Sequence, residues 1–280
     1  MPRLSRVLGG VALGVGACVA YGYATWRPRD LEYLYQGRRL VLGHRGAGAE
    51  APPNTALAMR RAMEAGADGV ELDVHLSQDR QVVVIHDATV TSVTGVPGRV
   101  REMTLAEIQR LDAGSHFDPA FAGERIPTLE QALIAVGPQG VVNVELKGES
   151  LAGDGLEQQV VHIIRALHVA DRVIISSFNP LRLWRVRRLD RQIARAMLHG
   201  PNSPTYVRHL WLLPLVQPDA LHPHYSMVDE AYMARARRWG VRVNVWTVDD
   251  AGEARRLVGL GVDGIITNDP RRLGEVVRSA

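Results

Sequence analysis

Residues 40–87 read LVLGHRGAGAEAPPNTALAMRRAMEAGADGVELDVHLSQDRQVVVIHD, and their pattern decides the fold. Leu40 to Gly43 form a short apolar run that stops at His44-Arg45-Gly46, so these polar side chains are expected where a strand gives way to a loop. A helical pattern follows from Thr55 to Ala65 and is closed by Gly66. Gly69 to His75 then alternates with period two, which puts Glu71, Asp73 and His75 on one strand face. Carboxylates side by side on such a face repel unless positive charge lies between them. A third apolar run, Val82 to Ile85, ends in His86-Asp87. Loops carried by a rigid scaffold are where chemistry is usually done.

Outward from this stretch, short apolar runs keep alternating with amphipathic helical patterns, the signature of βα units around a parallel sheet. Candidate strands are 40–44, 69–75, 82–86, 140–146, 172–177, 194–198, 241–247 and 264–267, with a further short one near 219–222. The third run follows the second too closely, through Ser77-Gln78-Asp79-Arg80, to leave room for the helix of a parallel crossover. The 280-residue length suits one α/β barrel of about 250 residues. Residues 88–128 are rich in turn signals and hold one clear helical pattern, Thr104 to Leu111.

The formal charge of +3 is already contained in the first thirty residues, where Arg3, Arg6, Arg27 and Arg29 face Asp30. The body is formally neutral, so no nucleic-acid partner is expected. Cys18 is the single cysteine, which excludes an intrachain disulfide and a zinc-thiolate cluster. Residues 7–25 carry no charge and follow the basic opening MPRLSR. Three readings stand for residues 1–30: a membrane anchor, an export signal, or lipidation at Cys18. Membrane association or export is the expected localisation, with the side of the membrane open because arginines flank both ends.

Asn143-Val144-Glu145-Leu146-Lys147 alternates again, placing Asn143, Glu145 and Lys147 on one face. Lys147 is the only lysine among 33 basic residues, so a compact ammonium stands where the chain otherwise uses arginine. Asn179 is expected to cap the helix that starts at Pro180. That helix, 180–192, carries five arginines and reads as a solvated barrel helix. The run Tyr206 to Val216, YVRHLWLLPLV, fits either barrel packing or an apolar patch for membrane or an acyl chain.

In order and spacing, HRG (44–46), PPNT (52–55), ELD (71–73), IHD (85–87), NVELK (143–147), SSF (176–178), NVWTV (244–248) and DGIITND (263–269) resemble the glycerophosphodiester phosphodiesterase family. The resemblance covers roughly residues 40–275, and an ordered set of motifs is far more specific than any tripeptide. It implies an α/β (βα)8 TIM barrel over 38–278, with 82–86 as an addition at the barrel mouth and 88–128 as a small inserted cap, behind the N-terminal hydrophobic helix. Within that resemblance His44 and His86 are the acid and base, Glu71, Asp73 and Glu145 hold a divalent cation, and Arg45, Lys147 and Trp246 bind substrate. An oxygen-only ligand set favours Mg2+ or Ca2+ over zinc. One departure is Pro53, where the family usually has Glu, and Glu50 is the candidate to supply that role.

The implied reaction is hydrolysis of glycerophosphodiesters to an alcohol and glycerol phosphate. Histidine suits the proton transfers because its unperturbed pKa of about 6.5 lies near neutrality. A lysophospholipase D acting on lysolipids is the alternative that the 206–216 run favours. A catalytically inactive phosphate- or headgroup-binding barrel is the alternative of another class, motivated by Pro53. Trp246 also has a core-packing reading, Asp87 reads equally as a turn cap or a neighbour of the metal, and His75, His222 and His224 are further candidates near the pocket.

Overall fold

The computed structural model describes residues 20–148 and 153–279. Its strands are β1 (Leu40–His44), β2 (Gly69–Leu76), β3 (Val82–Val84), β4 (Val141–Leu146), β5 (Val173–Ser177), β6 (Ala194–His199), β7 (Ala220–Pro223), β8 (Arg242–Val245) and β9 (Gly264–Thr267). β1, β2 and β4 to β9 run parallel, and the sheet closes because β1 pairs with both β9 and β2. β3 lies antiparallel on β2, with Val74 opposite Val84. The fold is thus a TIM barrel with one strand added at its rim.

Alternation along each strand sorts the side chains. Outward residues such as Val70, Leu72, Val74, Val142, Val144 and Ile175 join the helices in one continuous core. Helices Ala56–Glu64, Leu129–Val136, Leu156–Ala166, Pro180–Leu189, Glu230–Trp239, Ala251–Leu260 and Pro270–Ser279 surround the sheet. Several start on side-chain caps: Thr55 accepts from Ala58 N, and Thr128 and Gln131 form a reciprocal capping box.

Inward residues change character along the barrel axis. At the N-terminal end of the strands, Leu40, Leu42, Val141, Ile174, Ala194 and Ala220 make an apolar plug together with Leu31, Leu34 and Tyr35. Tyr35 Oη donates to Asn244 Oδ1 at 3.0 Å, so the segment before β1 stoppers the barrel floor. At the opposite end the inward side chains Glu71, Asp73, Asn143 and Glu145 are polar and buried. Barrel enzymes place their sites at this end.

Two sequence expectations change, and a third keeps both of its readings. The helix expected over 104–111 is only Leu105–Ile108, because beyond it Arg110 N and Leu111 N bond to the third residue back and tighten the chain. The arginine-rich helix ends at Leu189, and it is not wholly solvated: Arg182 is 0% exposed and pairs with Asp154 and Glu157. The 206–216 run divides into two short helices, with Val207, Leu210, Leu213 and Val216 buried and Tyr206, Trp211 and Leu215 exposed. Of the uncharged segment 7–25, residues 7–19 with Cys18 lie outside the described residues, and among the described ones no helix is long and apolar enough to cross a membrane.

Candidate active site

Strand register brings the acidic residues together. β2 and β4 align Asp73 with Glu145 and Glu71 with Asn143, while β1 sets His44 opposite Glu71. Ligand oxygens of Glu71, Asp73 and Glu145 all lie within 4.8 Å of one another, and all three residues are buried.

The HRG turn and the PPNT loop lock onto this cluster. Arg45 (φ 54) and Asn54 (φ 61) both adopt the left-handed region, a strained choice for side-chain-bearing residues that collects at functional sites. They are tied by Asn54 N donating to Arg45 O at 2.9 Å. Gly46 completes the turn at φ 89, where an added Cβ would lie 2.5 Å from the Ala58 carbonyl carbon. From this frame Arg45 N donates to Glu71 Oε2 at 3.1 Å, and Arg45 Nε lies 3.2 Å from Asp73 Oδ2. Asn54 Nδ2 donates to Asp73 Oδ2 at 2.8 Å, and Asp73 N donates back to Asn54 Oδ1 at 3.2 Å.

Lys147 Nζ supplies the remaining positive charge, 2.8 Å from Glu145 Oε1 and 3.0 Å from Asp73 Oδ1. Burial alone would lower its pKa, but these carboxylates outweigh that and raise it. Burial also works against ionising Asp73, yet Lys147 and Arg45 prevail and hold its carboxyl down at about 2. Glu71 is driven well above the usual carboxylate range by burial and by Asp73 and Glu145. Burial and Asp73 push Glu145 up to about 7 against the pull of Lys147. Three buried carboxylates beside two cations are therefore short of positive charge, and their all-oxygen donor set fits a hard divalent cation.

Each histidine is held from behind. His44 Nδ1 lies 2.8 Å from Asn268 Oδ1, and Asn268 is in turn anchored on Asp249 through N (2.8 Å) and Nδ2 (2.7 Å). Since an amide oxygen accepts, His44 carries its proton on Nδ1 and turns a free Nε2 toward Glu71 Oε2, 3.9 Å away. Burial, then the Arg45 charge, lower the His44 pKa. His86 Nδ1 lies 2.7 Å from Asp87 Oδ1, while Ser92 Oγ donates to Asp87 Oδ2 at 2.5 Å. Asp87 therefore orients His86 and ties it to the next turn.

A cavity of about 250 Å³ joins these groups, bordered by His44, Arg45, Glu71, His86, Glu145, Lys147 and Trp246 among others. Trp246 serves both of its readings: it borders the cavity beside Phe178 at an 86° edge-on angle, and its Nε1 donates to His222 O at 2.7 Å. Asn143 is wholly buried on the cavity wall, and neither atom of its amide has a partner among the described residues.

Other candidates lie elsewhere. Glu50 is paired with Arg271 at 3.1 Å, so its carboxylate is engaged away from the cluster. His75 Nε2 bonds to His86 O at 3.1 Å and supports the β3 end. His222 is buried against Asn244, and His224 packs edge-on to Trp246. Sequence reasoning passed over Asn54, Asn268 and Asp249, although the first two stand within the quoted motifs PPNT and DGIITND.

Comparison with known proteins agrees with this geometry. The model of the glycerophosphoryl diester phosphodiesterase family matches residues 44–272. A glycerophosphodiester phosphodiesterase of Caldanaerobacter subterraneus subsp. tengcongensis is 40% identical over 245 residues, covering 86% of this chain and 98% of the relative. An Oleispira antarctica phosphodiesterase, solved in complex with the product sn-glycerol-3-phosphate, superposes with TM-score 0.78 at 29% identity, covering 88% of this chain and 99% of the other. A structure from Silicibacter pomeroyi, described as a glycerophosphoryl diester phosphodiesterase, gives TM-score 0.78 at 26% identity, covering 88% and 97%. With a barrel, an acidic cluster and a family match over most of its length, the chain belongs to the glycerophosphoryl diester phosphodiesterase family.

Proposed function

We propose that the chain hydrolyses glycerophosphodiesters to an alcohol and a glycerol phosphate by acid–base exchange between His44 and His86. The observation that carries this is the convergence of both imidazoles with Arg45, Lys147, Glu71 and Glu145 on one cavity, with the buried Asp73 grouped with those two carboxylates. Glu71, Asp73 and Glu145 would hold Mg2+ or Ca2+, which when bound supplies Lewis-acid charge for a phosphate oxygen. Arg45 and Lys147 neutralise the other non-bridging oxygen. His44, neutral with Nε2 free, takes the proton of the attacking hydroxyl, and His86 protonates the leaving alcohol. Phe178, Leu198 and Trp246 give the glycerol an apolar wall, and the unpaired Asn143 amide offers it a hydrogen bond.

The relative's complex with sn-glycerol-3-phosphate supports a product of this size. The test is alcohol release by purified full-length chain from a panel of glycerophosphodiesters and lysolipids, with chelator and then with Mg2+ or Ca2+ restored. Release that stops on chelation and returns with metal is expected, and His44→Ala or His86→Ala should each cost about 10²- to 10⁴-fold with the fold intact. Full activity in either variant removes the acid–base assignment. Faster turnover of lysophosphatidylcholine than of glycerophosphocholine would favour the lysophospholipase D alternative.

A membrane-facing side is also part of this reading. Trp211 is 61% exposed, Tyr206 42% and Leu215 41%. The helical residues 20–25, which follow the uncharged run, pack beside them: Gln217 Nε2 donates to Gly22 O at 3.0 Å, and Gly22 abuts Pro214. Aromatic and apolar side chains at this spot suit an interface with lipid. Flotation of the full chain with vesicles, weakened by joint Trp211→Ser and Leu215→Ser substitution, is the expected outcome; unchanged flotation removes this face from the interface.

A further inference from the structure

Beside the first cavity lies a second, of about 230 Å³, between the PPNT loop, the end of β3 and the inserted segment. Arg45 and His86 border both cavities, and no other lining residue is shared. Pro53, Val84, Ile85, Val93, Ala113 and Ile126 give it apolar walls, and among the described residues Asp87 is the one carboxylate on its lining.

We propose that this second cavity receives the alcohol that leaves, and that it selects compact neutral or cationic alcohols. The inference rests on the phosphodiesterase reading of the first cavity. Phosphoryl transfer needs the incoming and departing oxygens roughly in line on opposite sides of phosphorus. A phosphate gripped by Arg45 beside the acidic cluster sits at the junction, with glycerol against Phe178 and Trp246 on one side. The other side opens into the second cavity.

His86 is placed for that geometry. Its Nδ1 is committed to Asp87, so Nε2 is the nitrogen left to face the junction. As the P–O bond to the alcohol breaks, the electron pair stays on the alcohol oxygen, which takes the proton from His86. The new P–O bond forms to the attacking hydroxyl, whose proton goes to His44. His44 borders the glycerol cavity and not the second one, which matches this division of labour.

Volume sets the specificity. A cavity of about 230 Å³ holds about seven groups the size of water, at roughly 30 Å³ each. Choline and ethanolamine leave part of that volume free, whereas the larger inositol ring fills nearly all of it at close-packed density. The lone carboxylate, Asp87, disfavours an anionic alcohol.

Val93 is the residue to alter, because it is half-buried on the inserted segment and lines the second cavity but not the first. The assay compares glycerophosphodiesters that share glycerol phosphate and differ in the alcohol: methanol, choline and inositol. Val93→Phe should lower kcat/KM for the choline ester about tenfold or more while leaving the methyl ester within about twofold. Val93→Ala, which needs no extra space, should raise kcat/KM for the inositol ester relative to the methyl ester. A wild-type chain that hydrolyses none of these esters overturns the phosphodiesterase reading and this one with it. A working wild type whose Val93→Phe variant slows methyl and choline esters alike, or neither, with Val93→Ala neutral, overturns the second cavity's role by itself.

Discussion

His44 and Asn268, 224 positions apart in sequence, meet with Nδ1 2.8 Å from Oδ1. The contact fixes the tautomer of the imidazole, and Asp249 fixes the amide by accepting from both its backbone and side-chain nitrogens. It also works against the burial that depresses the His44 pKa. Asn268→Ala should therefore cut kcat by about 10- to 100-fold with little change in KM. Without the bond the His44 pKa falls further, so the acid limb of the pH–rate profile should move to lower pH. A variant with a normal kcat and an unmoved limb would falsify the positioning role.

Lys147 is a second point where residue type matters. Its ammonium fits between Glu145 and Asp73 at 2.8 and 3.0 Å, in a space closed to all but 15% of its side-chain surface. A planar guanidinium is wider and cannot bridge these oxygens in the same way. Lys147→Met should lose about 10²- to 10³-fold in kcat/KM, and Lys147→Arg should recover little of it. Steady-state kinetics at saturating metal separate this from weakened cation binding; full recovery by arginine would leave charge as the sole requirement.

The buried Arg182 should matter for stability. Its guanidinium donates to Gly148 O at 3.1 Å and meets Asp154 at 2.9 Å and Glu157 at 3.0 Å, while Glu157 is itself 0% exposed. Removing one partner of such a pair leaves a buried charge uncompensated, at a cost of about 3 to 5 kcal/mol. Arg185, 3.2 Å from Glu157, places the expected loss at the lower end. Thermal unfolding of Arg182→Met checks this, and an unchanged Tm would show that Glu157 needs no help from Arg182.

Acid should loosen the barrel through two buried histidines. Burial pushes His199 down to about 4 and His222 down to about 3. In the unfolded chain both titrate at about 6.5, so below that pH the unfolded state binds more protons than the folded one. The stability that these two histidines contribute should fall as pH drops below about 6.5 and continue falling toward the folded values of about 4 and about 3. His222→Gln keeps an acceptor for Asn244 Nδ2, now 3.0 Å from His222 Nε2, and should flatten the slope. A Tm-against-pH curve with the same steepness in this variant would exonerate His222.

The strand order and the acidic faces were legible because period two is written locally: Glu71 and Asp73, or Asn143 and Glu145, share a face whatever surrounds them. The short addition at β3 was legible for a similar reason, since the few residues between the two runs cannot make a parallel crossover. Arg182 was not, because helical spacing shows which residues share a stripe but not what lies opposite. In the fold, Glu157 and Asp154 from the preceding βα unit cover that stripe and draw one arginine inside.

The linear chain by itself determined which side chains stand at strand ends and which face of each strand is polar, because backbone geometry enforces both over a few residues. Tertiary structure decided what those side chains touch. Closing the barrel brought β1 against β9, and thereby Asn268 behind His44. The left-handed Arg45 and Asn54 became affordable only once Asp73 and Glu71 were there to bind them. The second cavity exists because the inserted segment packs back on β3. Such contacts join residues far apart along the chain, and no local periodicity encodes them.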